Sequence, residues 1–131
     1  MSFFSKFKSA RDIAKEAIVE IPWHIISDER MLDEIIEESE KVPVLIFKHS
    51  TRCGISRAVL KIFERNYKLN EDQLKLYFLD LLQYRDISNR IASRFGVQHE
   101  SPQILIIKGG KSIYDTSHHS IDADEVAKIV G

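Results

Sequence analysis

Cysteine occurs once in the chain, at position 53. A disulfide-stapled fold is thereby excluded, and so is a zinc site built on paired cysteines. No apolar run approaches the length that would cross a bilayer, so no membrane span is expected. The opening residues, Met1-Ser2-Phe3-Phe4-Ser5-Lys6-Phe7-Lys8, lack the continuous apolar core of a secretory leader, and a reducing cytoplasmic setting is expected. An excess of charge of one sign is missing too. The 19 Lys and Arg against 20 Asp and Glu leave a net charge of -1, no global field for nucleic acid, and no nucleic-acid partner is expected. Neither repeats nor low-complexity tracts occur. What is present is 131 residues, 44% hydrophobic and 30% charged, the balance of one globular domain with a core of its own.

Residues 1–21 read as an N-terminal extension and 22–131 as the domain. Within the extension, Phe4, Phe7, Ile13, Ala14, Ala17 and Ile18 stand among Lys and Arg in a loosely amphipathic helical pattern, suited to packing on the domain or on a partner. Pro22 breaks it. Trp23 to Ile26 reads as a short strand, and Ser27 as the cap of a helix with an acidic first turn that runs to about Ser39. Val44 to Phe47 is an unbroken apolar run, the pattern of a central strand covered on both sides. Beyond Cys53, Ile55, Val59, Ile62 and Phe63 recur at helical spacing, so the cysteine stands where a strand's exit loop becomes a helix.

Leu74 to Leu82 reads as the next strand, and Ile87, Ile91 and Phe95 as a second crossover helix stopped by Gly96. Ile104 to Ile107 and Ser112 to Tyr114, around Lys108-Gly109-Gly110-Lys111, form a hairpin. Asp122 caps a last short helix through Val126, Ile129 and Val130. The periodicity by itself establishes an α/β domain with a terminal hairpin. The order β-α-β-α-β-α-β-β-α is that of the thioredoxin fold, a central mixed sheet flanked by helices.

A thiol at the first turn of a helix faces unsatisfied backbone N–H groups, and the helix dipole favours its anion. Lys48, His49 and Arg52 lie close in sequence, and any that reached the sulfur would favour the thiolate further. Gly54, without a β-carbon, lets another molecule approach. A buried structural cysteine beside a solvated basic loop is the alternative. Ser56 stands where a Cys-x-x-Cys motif carries its resolving cysteine, and its hydroxyl is free in the sequence either to meet the thiolate or to satisfy first-turn backbone. Either way any exchange must pass through a mixed disulfide with another molecule. His24, His118 and His119 show no metal-ligand spacing, and Trp23 reads as core.

The stretches Phe47-Lys48-His49-Ser50-Thr51-Arg52-Cys53-Gly54-Ile55-Ser56, Leu79-Asp80-Leu81, Tyr84-Arg85, Ile87-Ser88-Asn89, His99-Glu100-Ser101-Pro102-Gln103 and Ser117-His118 together resemble the monothiol bacilliredoxin (YtxJ-like) family, from about Trp23 to the C-terminus. The resemblance implies a thioredoxin-like fold and a monothiol thiol–disulfide oxidoreductase with Cys53 as its catalytic residue. It would remove a low-molecular-weight thiol, bacillithiol or glutathione as co-substrate, from S-thiolated client proteins, and a separate reductase would regenerate it. No tightly bound cofactor is implied.

The resemblance further implies a cis Ser101-Pro102 bond facing the cysteine, with Ser101 pairing the extended substrate. His99 and Glu100 would be an acid–base pair or a cap on the bound thiol, and Arg85 a contact to bacillithiol's carboxylates. As plain residues, the histidine is as readily structural, and Asp80 with Arg85 reads as an ion pair or a solvated strand end. One departure opens alternatives. Gly54 makes the tetrad Cys-Gly-Ile-Ser resemble the Cys-Gly-Phe-Ser of monothiol glutaredoxins, which hold a [2Fe-2S] cluster between two subunits. A thioredoxin-like interaction module whose thiol senses oxidation is the non-catalytic reading.

Overall fold

The computed structural model describes residues 21–131, and the helix expected within residues 1–20 lies outside them. The elements are β1 (His24–Ile25), α1 (Met31–Glu38), β2 (Val44–His49), α2 (Gly54–Asn66), β3 (Lys75–Asp80), α3 (Arg85–Phe95), β4 (Gln103–Lys108), β5 (Lys111–Ser117), a 3-10 turn (His118–Ser120) and α4 (Ala123–Val130). The sheet order is β1-β3-β2-β4-β5. β3 runs parallel to β1 and β2, while β4 and β5 are added antiparallel. The first two crossovers therefore need helices, and the hairpin needs only a turn. This is the mixed, helix-flanked sheet that the order of elements had implied.

The central strand β2 is buried along its whole length, and its alternation divides the core. Val44 and Ile46 face one cluster with Leu32 and Ile35 of α1 and Ile87 and Ile91 of α3. Leu45 and Phe47 face the other, with Val59 and Phe63 of α2 and Val126 of α4. A strand covered on both sides has no polar face, which is why the sequence shows an unbroken apolar run there. Trp23 belongs to the second cluster, its ring 5.8 Å from that of Phe47 and its indole N–H donated to Glu64 at 2.8 Å.

Several boundaries differ from the expected ones: β1 is only His24–Ile25, β3 spans Lys75–Asp80 and stops short of Leu82, and β5 spans Lys111–Ser117 and runs past Tyr114. Ser27 does not cap α1. Asp28 instead accepts the Arg30 N–H at 2.8 Å, closing a turn of its own, and the helix starts at Met31. An aspartate that bonds its own backbone two residues on competes with helix entry at the preceding serine. β2 also extends two residues further than its apolar run, taking in Lys48 and His49. The other end signals hold: Gly96 stops α3 with φ 65, Gly109 and Gly110 turn the hairpin at φ 59 and 76, and Asp122 accepts the Asp124 N–H. The hairpin turn is also stitched to the end of α1. Ser39 accepts the Gly109 N–H on its carbonyl and the Gly110 N–H on its hydroxyl, each at 2.9 Å.

Candidate active site

Three chain segments meet at one end of the sheet. His49 is in register with Asp80 and Lys48 with Gln103, so the exits of β2 and β3 and the entry to β4 lie side by side. Cys53 follows the β2 exit as the N-cap of α2, in extended conformation (φ -99, ψ 117) and part-exposed. Its N–H is donated to the Ser50 carbonyl at 3.2 Å, and its own carbonyl accepts the Arg57 N–H at 3.1 Å. The sulfur thus sits where the first N–H groups of α2 have no intrahelical partner, and no acidic residue stands in that first turn. Gly54 is exposed, and a side chain there would meet only the Arg57 guanidinium, at 3.9 Å. That leaves the approach to the sulfur open on this side.

Ser56 points inward and is fully buried. Its Oγ accepts the Ser50 N–H at 3.1 Å and lies 2.8 Å from His49 Nδ1. Burial holds the His49 imidazole below its ordinary pKa, and Arg57 works in the same direction, against Asp80 and Glu64. A neutral ring whose Nδ1 accepts the serine proton accounts for both contacts at the Ser56 hydroxyl, which donates to His49 and accepts from Ser50. The hydroxyl is thereby committed to the loop. The chain His49, Ser56, Ser50, Cys53 is a run of hydrogen bonds that fixes where the thiol stands.

Lys48 is not on the loop with the thiol. As the neighbour of His49 on a strand it faces the opposite side of the sheet, fully buried, where its Nζ donates to the Ser88 carbonyl at 3.1 Å and lies 3.4 Å from His99 Nδ1. His99 Nδ1 is also 3.0 Å from the Ser88 hydroxyl. Burial lowers the Lys48 pKa from its ordinary 10.5 to about 8, and burial, Lys48 and Arg85 together lower that of His99. In the sequence the lysine reads as a loop cation, because the strand's apolar run ends one residue earlier. Only the continued alternation of β2 would have placed it.

A buried cation without a carboxylate on it carries a cost that an apolar chain of like length avoids. Lys48→Met is expected to stabilise the fold at neutral pH by about 1–3 kcal/mol. The folded state holds fewer Lys48 protons than the unfolded chain between pH 8 and 10.5, so the native stability rises with pH across that window. The advantage of the methionine should therefore be complete below pH 8 and gone by 10.5, as urea titrations at a series of pH values would read.

The remaining sequence candidates surround the third segment. The Ser101-Pro102 bond is cis, and Pro102, buried, precedes the strand residue paired beside Lys48. Its carbonyl accepts the His118 N–H at 2.9 Å. The Ser101 Oγ is the one buried side-chain polar atom without a partner among the described residues. Glu100 is exposed and accepts the Ser117 hydroxyl. Arg85 is exposed at the head of α3, and Arg52 is exposed one residue before the cysteine. Asp80 accepts the Leu82 N–H at 3.1 Å, which closes its own turn. The fold thus gathers Cys53, Arg52, Gly54, Ser56 and His49 on one loop and helix start, with Ser101 and Pro102 on the adjoining segment. His99 lies across the sheet with Lys48.

The family model of monothiol bacilliredoxin BrxC matches residues 24–126. The chain belongs to the monothiol bacilliredoxin family. Among solved structures, a candidate oxidoreductase with a thioredoxin fold shares 30% identity with this bacilliredoxin, covers 81% of it and 91% of its own length, and superposes with a TM-score of 0.69. The thioredoxin of Malassezia sympodialis, at 20% identity, 81% and 85% coverage and a TM-score of 0.60, is similar in fold. So is that of Fasciola hepatica, at 16% identity, 82% and 95% coverage and 0.63. The bacilliredoxin thus has the thioredoxin-like fold, a single redox-capable thiol, and the general chemistry of a thiol oxidoreductase. Among the described residues no helix is long and apolar enough to cross a membrane.

Proposed function

We propose that the protein releases client proteins from mixed disulfides with a low-molecular-weight thiol, bacillithiol in the first instance, in the reducing cytoplasm. The Cys53 thiolate attacks the sulfur of the small thiol in the client mixed disulfide. One S–S bond breaks as another forms, the client leaves as its thiolate, and the small thiol stays on Cys53. A second small thiol, or a dithiol reductase, then attacks that bond and frees Cys53. Arg52 precedes the attacking thiol in the chain, and the α2 N-terminus follows it directly. Ser101 would pair the client's extended backbone beside Pro102, with Glu100 and Arg85 at the rim, where a carboxylate-bearing thiol would meet Arg85.

The observation that carries this reading is the state of Ser56. In the place of a resolving cysteine stands a hydroxyl that is buried and bonded to His49 and Ser50. A hydroxyl does not attack a disulfide at neutral pH, so the intermediate on Cys53 must wait for an external thiol.

Intact-mass spectrometry after incubation with oxidised bacillithiol, and separately with oxidised glutathione, tests it. Wild type should gain one adduct and stop there. Ser56→Cys should pass on to an internal disulfide, a loss of two hydrogens with no adduct, because residues 53 and 56 are about one helical turn apart. A wild-type protein that takes no adduct from either disulfide, while Cys53 still reacts with a small alkylating reagent, would leave the oxidoreductase reading without its central step.

A further inference from the structure

Exposed large apolar side chains on a soluble domain are ordinary when they stand alone. Ile25, Leu82 and Ile113 stand so, on β1, after β3 and on β5. Ile55 and Ile62 do not. They are 49% and 51% exposed and lie seven residues apart on α2, with exposed Ala58 between them, so the three form one stripe along the outside of the helix. The stripe starts two residues from Cys53 and runs about 10 Å along the helix axis. An extended chain of about three residues would cover it.

The adjoining stripe of the same face, at positions 57, 61 and 65, is Arg57, Lys61 and Arg65, all exposed. The helix has one carboxylate, Glu64, and it accepts the Trp23 indole N–H at 2.8 Å on the inward side. The chain as a whole carries a net charge of -1, so this positive, half-apolar face is a local feature and not a reflection of composition.

We propose that the outer face of α2 is a docking surface for the protein partner of the exchange reaction, and that it selects segments in which apolar residues and Asp or Glu flank the reacting cysteine. The inference rests on the exchange reaction at Cys53. An apolar side chain of the partner would cover Ile55 and Ile62, its carboxylates would meet Lys61 and Arg65, and its cysteine would be held over the start of the helix. Charge complementarity of this kind acts chiefly on the rate of encounter and weakens with salt. A small disulfide, too short to reach Ile62, would not use the surface.

Two peptides carrying the same central cysteine, each as its mixed disulfide with glutathione, decide the matter. One has Leu and Glu around the cysteine, the other Ser and Lys. At low salt the first should transfer its glutathione to Cys53 about tenfold faster or more, with the gap narrowing as salt is raised. The double variant Ile62→Ser, Lys61→Glu should lose that preference while reacting with oxidised glutathione at the wild-type rate.

Equal rates for the two peptides, or a preference that survives in the double variant, would overturn the proposal. A wild type that dimerises in sedimentation through Ile62 would overturn it too, because a second copy would then be the occupant. If neither peptide nor oxidised glutathione reacts, the exchange reading itself fails. The surface is then judged by the Cys→Ser form of the acidic peptide, which should shift the methyl resonances of Ile55 and Ile62 and leave that of Ile113 in place. Unshifted methyls would count against docking whatever the chemistry.

Discussion

Cys53→Ala should bring turnover of a small mixed disulfide down to the uncatalysed background, a loss on the order of 10^3-fold or more, as expected of an enzyme deprived of its one nucleophile. No other thiol in the chain could take over. The substitution should leave the fold intact, because the side chain is part-exposed at an N-cap whose hydrogen bonds are made by backbone. Circular dichroism and a urea midpoint close to wild type would establish that the lost activity is chemical. Turnover that persisted in a folded Cys53→Ala protein would move the reaction away from this thiol altogether.

The largest loss of stability is expected at Phe47→Ala, about 3–5 kcal/mol. Phe47 is fully buried, and its ring lies 5.8 Å from both Trp23 and Phe63 and 6.3 Å from Phe78. Removing it takes the centre out of an aromatic group that joins the segment leading into β1 with β2, α2 and β3, and the cavity left behind cannot be closed without moving several large rings. The urea midpoint should fall with little change in slope. Ile113→Ala, on exposed β5, is the contrast and should stay within about 0.5 kcal/mol. A comparable loss at both positions would mean that the aromatic group contributes less than its burial implies.

The sequence made the order of the elements legible because strong local signals bound most of them. The Val44 to Phe47 run, the paired glycines of the hairpin and the Gly96 stop each have one short-range physical reading. The thiol was equally legible, as a cysteine between a strand and a helix. What could not be read was the direction in which polar residues at the strand end point. Lys48 and His49 look alike as cations beside the cysteine, yet alternation along β2 sends them to opposite sides of the sheet. Ser56 left two options open in the sequence, and only the position of His49 across the loop turns its hydroxyl toward the protein. Likewise the contact between Glu100 and Ser117 joins residues that no local pattern connects.

Opposite facing of Lys48 and His49 also protects the fold against misalignment. A slip of β2 by one residue against its neighbours would carry every side chain of the strand to the other layer. The Lys48 ammonium would enter the aromatic group around Trp23 and Phe63, stripped of the Ser88 carbonyl and His99 that now receive it. A purely apolar strand would pay little for such a shift, since both layers are greasy. The lysine makes the wrong alignment electrostatically costly, and Lys48→Met would trade that guard for added stability. The same residue that weakens the native state at neutral pH thereby widens the gap separating it from its nearest misfolded competitor.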